Sequence, residues 1–405
     1  MEPPRRILLA DADAFFVAVA RLVDPDGAGR EPLLIVGGTR ESRGVVCSAS
    51  YETRKYGVRS AMPISRALRL CPNAVCVPVP RKACSEKHKE IRGVLERHAP
   101  AVEGASIDEW YLDLGGTEAL YRNEALADTA ARIRRDVVGE TGISVSFGGG
   151  TSKLIAKLAV EHAKPRPGNS ATGVHVVPAG KEHEFMHVIA LAEIPLIGPR
   201  FQDRLARLGM RTVPDVLQYD EATLAQWLGK REAAWLCARV RGIDGTHVET
   251  DLDAKSISRD ETFSADIDDD AELQHELLAL LTRAAADLRA DGMAARTIRV
   301  KIRDWDFRTR QASRTIDRPV IADRVMLNVA TSLLRKLRAA RRVPARLLGV
   351  ALSSLAVDAS ADQLNLFDAI DSRIVETERD RKVARVVDRV RSRFGDKGIL
   401  PGGLV

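Results

Sequence analysis

Two adjacent carboxylates, Asp108 and Glu109, sit inside Ser106-Ile107-Asp108-Glu109-Trp110-Tyr111-Leu112-Asp113. Apolar Ala101-Val102 precedes this stretch and Trp110-Tyr111-Leu112 ends it. The pattern predicts a β-hairpin with the acids at its tip. Neighbours on a strand face opposite ways, so both acids can act at one point only across a tight bend. Acids between buried strands are costly without a compensating cation. Taken alone, the stretch is equally well described as a solvated acidic turn. A second source of carboxylates tips the balance. Ile7-Leu8-Leu9-Ala10 reads as a buried strand running into Asp11 and Asp13, which share a face, with the backbone carbonyl of Ala12 between them. Asp11, Asp108, Glu109 and that carbonyl make an all-oxygen set suited to Mg2+, with Mn2+ as a substitute. Three carboxylates can bridge two ions, the arrangement for in-line displacement at phosphorus. Asp13 is expected to support the site.

A triphosphate substrate requires cationic and hydroxyl partners. Arg54 offers a bidentate fork, Tyr51 a hydroxyl and Lys164 a point charge. Taken singly, each reads as an ordinary surface side chain. Gly148-Gly149-Gly150-Thr151-Ser152-Lys153 lacks the Gly-Lys-Ser/Thr ending of a Walker A loop and is not read as one.

These residues need a scaffold. The periodicity predicts strands over 7–13, 32–36, 44–50, 74–79 and 143–150, and helices over 51–57, 62–70, 83–98, 117–138 and 152–162. This is an α/β layer with acids at strand ends. Residues 190–242 change to short helices, where Ile197-Gly198-Pro199-Arg200 followed by Leu205, Leu208 and Gly209 resembles a helix-hairpin-helix. In that motif backbone N–H groups at a helix start, here near Gly198 and Arg200, meet phosphate without reading sequence. An ordinary helix start with Gly and Pro fits equally well. Residues 256–355 read as βαββαβ, a four-stranded sheet with two helices on one face. Arg299, Lys301, Arg303, Arg308, Arg310 and Arg314 are expected to form a basic face on it. A charged helix is expected over 371–393, with a loose end after it.

Composition sets outer limits. The 405 residues are 45% hydrophobic and carry a formal net charge of +6, enough for real cores and permissive of a polyanionic partner. Residues 294–350 concentrate the excess, with 15 Lys/Arg against 4 Asp/Glu. The five cysteines form no Cys-x-x-Cys pair and read as free thiols in a reducing compartment. No apolar run reaches membrane-spanning length. The expectation is a cytoplasmic protein with no membrane partner.

Four separated motifs then carry a resemblance over roughly residues 5–355. They are Asp11-Ala12-Asp13-Ala14-Phe15-Phe16, Ala49-Ser50-Tyr51-Glu52-Thr53-Arg54-Lys55-Tyr56-Gly57-Val58, Ser106-Ile107-Asp108-Glu109 and Ala163-Lys164-Pro165, with Lys255-Ser256-Ile257-Ser258 beyond. The chain resembles the Y-family translesion DNA polymerases of the DinB (polymerase IV/kappa) branch. The resemblance implies a multidomain α/β and α+β right hand. It has a palm (1–14 and 76–169), fingers (15–75), a thumb (170–242), a linker (243–254), a little finger on DNA (255–356) and a tail (357–405). It implies Asp11, Asp108 and Glu109 as ligands of two Mg2+ ions with the Ala12 carbonyl. Phe15, Phe16, Tyr51, Arg54 and Lys164 would contact the dNTP, with Phe16 as the steric gate against a 2′-hydroxyl. Small Cys47, Ser48 and Ala49 would leave room over the nascent base pair, which in this family goes with low fidelity and lesion bypass on primer-template DNA. No spare acid cluster is available for a proofreading exonuclease.

Three positions depart from the family pattern. Ala20 replaces an acid, Trp110 a small residue, and Ser152-Lys153 an Asn-Lys pair. Gln363-Leu364-Asn365-Leu366-Phe367 resembles the bacterial sliding-clamp-binding peptide, with Gln363, Leu364, Leu366 and Phe367 as anchors. The alternative to an enzyme is a silent relative bridging the clamp to other translesion factors. Such relatives tend to lose the metal carboxylates, and all three are present.

Overall fold

The computed structural model describes residues 4–40, 43–165, 170–250, 254–358, 375–395, 398–399 and 402. The chain divides into two units, Met1–Leu252 and Asp253–Val405.

In the first unit β1 (Ile7–Ala12) turns through Ala14, which takes a left-handed conformation (φ 47°), into α1 (Phe15–Val23). Next come β2 (Leu34–Gly37), β3 (Val46–Ala49), α2 (Tyr51–Arg54), α3 (Ile64–Leu70) and β4 (Val75–Pro78). These strands form a small sheet, order β3-β2-β4, over a core of Ile35, Val46, Val58, Ile64 and Ala67. Strand β4 pairs with β2 in parallel, so residues 76–78 belong to this small sheet.

Then follow α4 (Arg81–Glu96), β5 (Ala101–Gly104), β6 (Glu109–Asp113), α5 (Leu126–Thr141), β7 (Val145–Gly150), α6 (Lys153–Ala163) and β8 (Val174–Val176). They build the principal sheet, order β5-β6-β1-β7-β8. Two expectations shift. The helix expected over 117–138 starts only at Leu126, because Arg122 and Asn123 sit at positive φ in a turn. Strand β8, which falls inside the expected thumb, hydrogen-bonds to β7 and belongs to this sheet; at three residues it is too short to show periodicity.

Every residue of β1 is buried because the sheet is covered on both faces. Phe15, Ile91, Leu95, Trp110, Ile133 and Phe147 join one large core. Ile7, Leu9 and Tyr111 meet Ala156 and Val160 of α6 on the other face. The glycines of β7 permit that close approach. A Cβ on Gly148 would lie 2.2 Å from the Ala156 carbonyl oxygen and the Val160 nitrogen. The Gly148–Gly150 run is thus a seat for α6. Beyond it, α7 (Glu182–Val188), α8 (Pro199–Arg207), α9 (Val213–Leu217), α10 (Glu221–Leu228) and α11 (Lys230–Val240) pack around their own apolar cluster. The expected linker is tied down as far as Glu249, whose N–H donates to Glu103 (2.8 Å), while Arg5 donates to the Thr246 carbonyl (2.8 Å).

The second unit contains β9 (Ser256–Ile267), α12 (Asp270–Ala290), β10 (Met293–Asp304), β11 (Thr309–Val320), α13 (Asp323–Ala340) and β12 (Ala345–Val357), with sheet order β11-β10-β12-β9. This is the expected βαββαβ layout, with α12 and α13 packed on one face through Leu277, Leu281, Met326 and Leu334. A final helix, α14 (Glu378–Phe394), is tied to this unit by ion pairs. Its Asp388 accepts from Arg289 (2.5 and 2.8 Å) and its Asp380 from Arg324 (2.7 and 2.8 Å). Just before it, Glu376 accepts from the backbone N–H groups of Ile321 (2.7 Å) and Ala322 (2.6 Å) at the start of α13. The clamp-type peptide Gln363–Phe367 lies outside the described residues. Among the described residues no helix is long and apolar enough to cross a membrane.

Candidate active site

Strand register brings the predicted acids together. Asp11 stands directly opposite Glu109 on β6 and Ser146 on β7. Opposed residues share a face, so Asp11 and Glu109 both face α6. Asp108 closes the β5–β6 turn, and its carbonyl accepts the N–H of Ala12 at 2.9 Å. The hairpin with acids at its tip is therefore present, and β1 holds that tip by its backbone. Asp13 accepts from Ser144 (2.7 Å) and Ser146 (2.8 Å), fastening the end of β1 to β7. Its role in the structure is this pair of hydrogen bonds at the strand end.

Helix α6 answers the acids with lysines. Lys164 lies 2.9 Å from Asp11 and 2.6 Å from Glu161. Lys157 lies 2.6 Å from Glu109, and Lys153 lies 2.6 Å from Glu103. Lys153 also packs 4.6 Å from the Tyr111 ring centroid. Sequence reasoning found Lys164 and missed Lys157. The signal was there: 153, 157 and 164 are spaced to lie on one helix face. Burial is the dominant influence on Asp11 and pushes its carboxyl up to about 7, against the opposing pull of Lys164. Burial also works to lower Lys164, but Asp11 and Glu161 outweigh it, so the ammonium stays above its ordinary range.

The donor set fits a hard divalent cation: three carboxylates and a strand-end carbonyl in adjacent register. Among the described residues, however, no three His, Cys, Asp or Glu side chains converge on one metal-sized point. Each carboxylate has its own partner. Asp11 turns to Lys164, Glu109 to Lys157, and Asp108 accepts from the Ser106 hydroxyl at 2.5 Å. Like charges at close range disfavour one another, so the acids diverge unless a cation draws them in.

The expected nucleotide contacts separate into two groups. Phe15 is 1% exposed and fully within the core, so its ring is not available to a ligand. Its neighbour Phe16 is half-buried, 5.7 Å from the Phe15 ring, and packs at the border of two cores. Helical geometry turns two consecutive aromatics in different directions, and only one can point inward. Tyr51 opens α2, and the Arg54 guanidinium lies over its ring at 4.9 Å while its Nε donates to the Ala49 carbonyl (2.9 Å). The Ser50 hydroxyl caps that helix by accepting from Thr53 N–H (3.3 Å). Ala20 is buried against Leu34 and Val36, an apolar niche in which an acid would be costly. Of the small residues after β2, Cys47 is exposed, whereas Ser48 and Ala49 are buried.

The candidate phosphate-backbone residues require correction. Arg299, Lys301 and Arg303 pair with Ser313, Gln311 and Thr309, on the face opposite α12 and α13. Arg310 and Arg314 pair with the core residues Ile302 and Ile298, so the register turns both toward the helix-bearing side, where Arg310 is half-buried and Arg314 stays exposed. Arg310 donates there to the fully buried Asp304 (2.7 and 3.1 Å). It is a structural ion-pair residue. Arg308 is exposed in the β10–β11 turn, and Lys301 is paired with Asp260. In the first unit Gly198 caps α8 at φ −75°, a conformation open to any residue, and a Cβ there would meet nothing. Arg200 beside it is exposed.

Comparison with known proteins follows the same architecture. The family described as impB/mucB/samB matches residues 10–161, and its C-terminal domain matches residues 254–366. A DNA polymerase IV of Dehalococcoides mccartyi (strain CBDB1) is 34% identical over 98% of this chain and 97% of its own length. A DNA polymerase IV of Methanoculleus marisnigri is 38% identical over 87% of this chain and 94% of its own. Among solved structures, a chimeric Y-family DNA polymerase superposes with a TM-score of 0.76 at 24% identity, covering 87% of this chain and all of that one.

Proposed function

Because the chain belongs to the impB/mucB/samB family of Y-family, DinB-type DNA polymerases, we propose that it extends a DNA primer past damaged template bases by two-metal nucleotidyl transfer from dNTPs, with low fidelity and no proofreading. The observation that carries this reading is the registered opposition of Asp11 and Glu109, with Asp108 fastened to Ala12, under a helix that supplies Lys157 and Lys164. Asp11, Asp108, Glu109 and the Ala12 carbonyl would hold two Mg2+ ions. When bound, these ions activate the primer 3′-oxygen and stabilise the leaving pyrophosphate.

The protein's own groups do the positioning. Lys164 and Lys157, paired here with Asp11 and Glu109, would turn their ammonium groups to the triphosphate oxygens. Arg54, held by Ala49 and stacked on Tyr51, presents its remaining N–H groups to the triphosphate. Phe16, half-buried and fixed by Phe15, stands as the gate against a ribose 2′-hydroxyl. Primer-template DNA lies on Arg299, Lys301, Arg303 and Arg308 of the second unit and on the open helix start at Gly198 and Arg200 of the first. These contacts grip phosphate and read no sequence. Gln363, Leu364, Leu366 and Phe367 dock into a sliding clamp. In the sequence they fall between Asp358 and Glu376, two residues that share the guanidinium of Arg381.

Primer extension with Mg2+ and dNTPs tests the reading. Asp108→Ala is expected to lower turnover by about a thousandfold or more with DNA binding intact. Equal inactivity of wild type and variant, with DNA still bound, would make the protein a scaffold. Phe16→Ala is expected to admit ribonucleotides, and unchanged sugar selectivity would remove the gate assignment.

A further inference from the structure

The hairpin tip that carries Asp108 is held from two sides. β1 holds it through the Ala12 N–H on the Asp108 carbonyl (2.9 Å). The second hold comes from α4. His88 places its Nδ1 3.0 Å from the carbonyl oxygen of Ile107, the residue just before Asp108. Its imidazole stacks on the indole of Trp110, centroids 5.0 Å apart and planes 27° from parallel. Strand alternation sends Trp110 to the face opposite Glu109, and there it is fully buried against the α4 and α5 core.

The surroundings are shaped for this pair. Trp110 stands opposite Ala10 on β1 and opposite Gly104 on β5. A Cβ on Gly104 would lie 3.8 Å from His88 Cε1, in van der Waals contact with the imidazole. The indole Nε1 is buried with no acceptor, at a cost of about 1–3 kcal/mol. The ring therefore contributes a flat surface and not a hydrogen bond. A small residue at position 110 would leave His88 nothing to stack on. The tip and His88 both border a cavity of about 390 Å3, which Arg92, Gly104, Ser106 and Glu249 also line.

We propose that His88 and Trp110 form a brace that fixes the Ile107–Asp108 backbone, so that the Asp108 carboxylate turns from Ser106 to a divalent cation without moving the hairpin. His88 is a positioning residue, and the inference rests on the reading of Asp108 as a metal ligand. Nδ1 carries the proton in this arrangement and donates it to the Ile107 carbonyl.

The test titrates the full-length protein with Mn2+ alone, following free ion by electron paramagnetic resonance, and measures primer extension in parallel. His88→Ala and His88→Phe remove the donor, the second while keeping an aromatic stack. Each is expected to weaken Mn2+ binding and lower kcat by about tenfold, with the dNTP KM changed less than about twofold. His88→Asn, which returns an N–H donor at the Nδ1 position, is expected to recover most of both at an unchanged melting temperature. Mn2+ affinity and kcat unaltered in His88→Phe would overturn the brace, as would His88→Asn behaving like His88→Ala. Asp108→Ala is the reference. If it too binds Mn2+ like wild type, the ligand reading fails and the brace falls with it; if it alone loses the ion, the brace fails and the ligand reading stands.

Discussion

The two main sheets of this protein are built from similar parts and place their charges oppositely. The sheet β5-β6-β1-β7-β8 is covered on both faces, and its functional acids lie beneath α6. The sheet β11-β10-β12-β9 is covered on one face only, and Arg299, Lys301 and Arg303 stand on the open one. Burial gives the acids their chemistry. It pushes Asp11 up to about 7 and makes a counter-cation valuable. Exposure gives the basic residues theirs, since a hydrated, screened charge suits reversible grip on any phosphate backbone. The second sheet also holds a buried charge, Asp304, but neutralises it internally with Arg310 and Arg341. A covered charge therefore becomes a site only where its partners are free to leave for a substrate.

That contrast can be broken at several points. Lys164→Ala removes the cation that balances Asp11 and that we propose as a triphosphate contact. It is expected to lower kcat/KM for dNTP by about a hundredfold in single-nucleotide insertion; a fall below threefold would mean that Lys164 only balances Asp11. Arg310→Ala, although in the same sheet as Arg299 and Arg303, is expected to act on stability. Partial loss of the Asp304 network costs about 2–3 kcal/mol, read as a lowered melting temperature of the second unit. Its DNA-binding salt slope should stay as in wild type, and a changed slope would return Arg310 to the interface. Arg299→Ala with Arg303→Ala is expected to do the reverse. The melting temperature holds while the slope of log K against log salt falls by about 2, one per lost phosphate contact. An unchanged slope would remove the open sheet face from the DNA surface.

Much of the site was legible because its signals are local. The strand-to-acid ending at Asp11, the acidic pair at Asp108-Glu109 and the flanking apolar runs predict strand ends without any knowledge of the fold. The βαββαβ order was legible for the same reason, since each element carries its own periodicity. The misses are equally specific. Arg310 and Arg314 were grouped with Arg299, Lys301 and Arg303 as one basic face. The turn between β10 and β11 pairs Arg303 with Thr309, which leaves even-numbered residues of β11 on the core side. One residue more or less in that turn would have reversed the assignment. Phe15 was grouped with Phe16, yet only packing against the core decides which of two adjacent rings turns inward. Lys157 was overlooked although its spacing from Lys153 and Lys164 marks a shared helix face.

What the sequence by itself determined is an inventory and its order: which carboxylates end strands, where the basic excess lies, and a family whose motifs fall in register along the chain. Only the tertiary structure decided which charges meet. Side-chain pairing depends on strand register and helix seating, and these are set by contacts far apart in sequence. The Gly148–Gly150 run seats α6 so closely that its lysines reach Asp11 and Glu109. The same holds at the hairpin tip, where the bulky Trp110 departs from the small residue of the family pattern. Stacked on His88, it is part of what holds that tip in place.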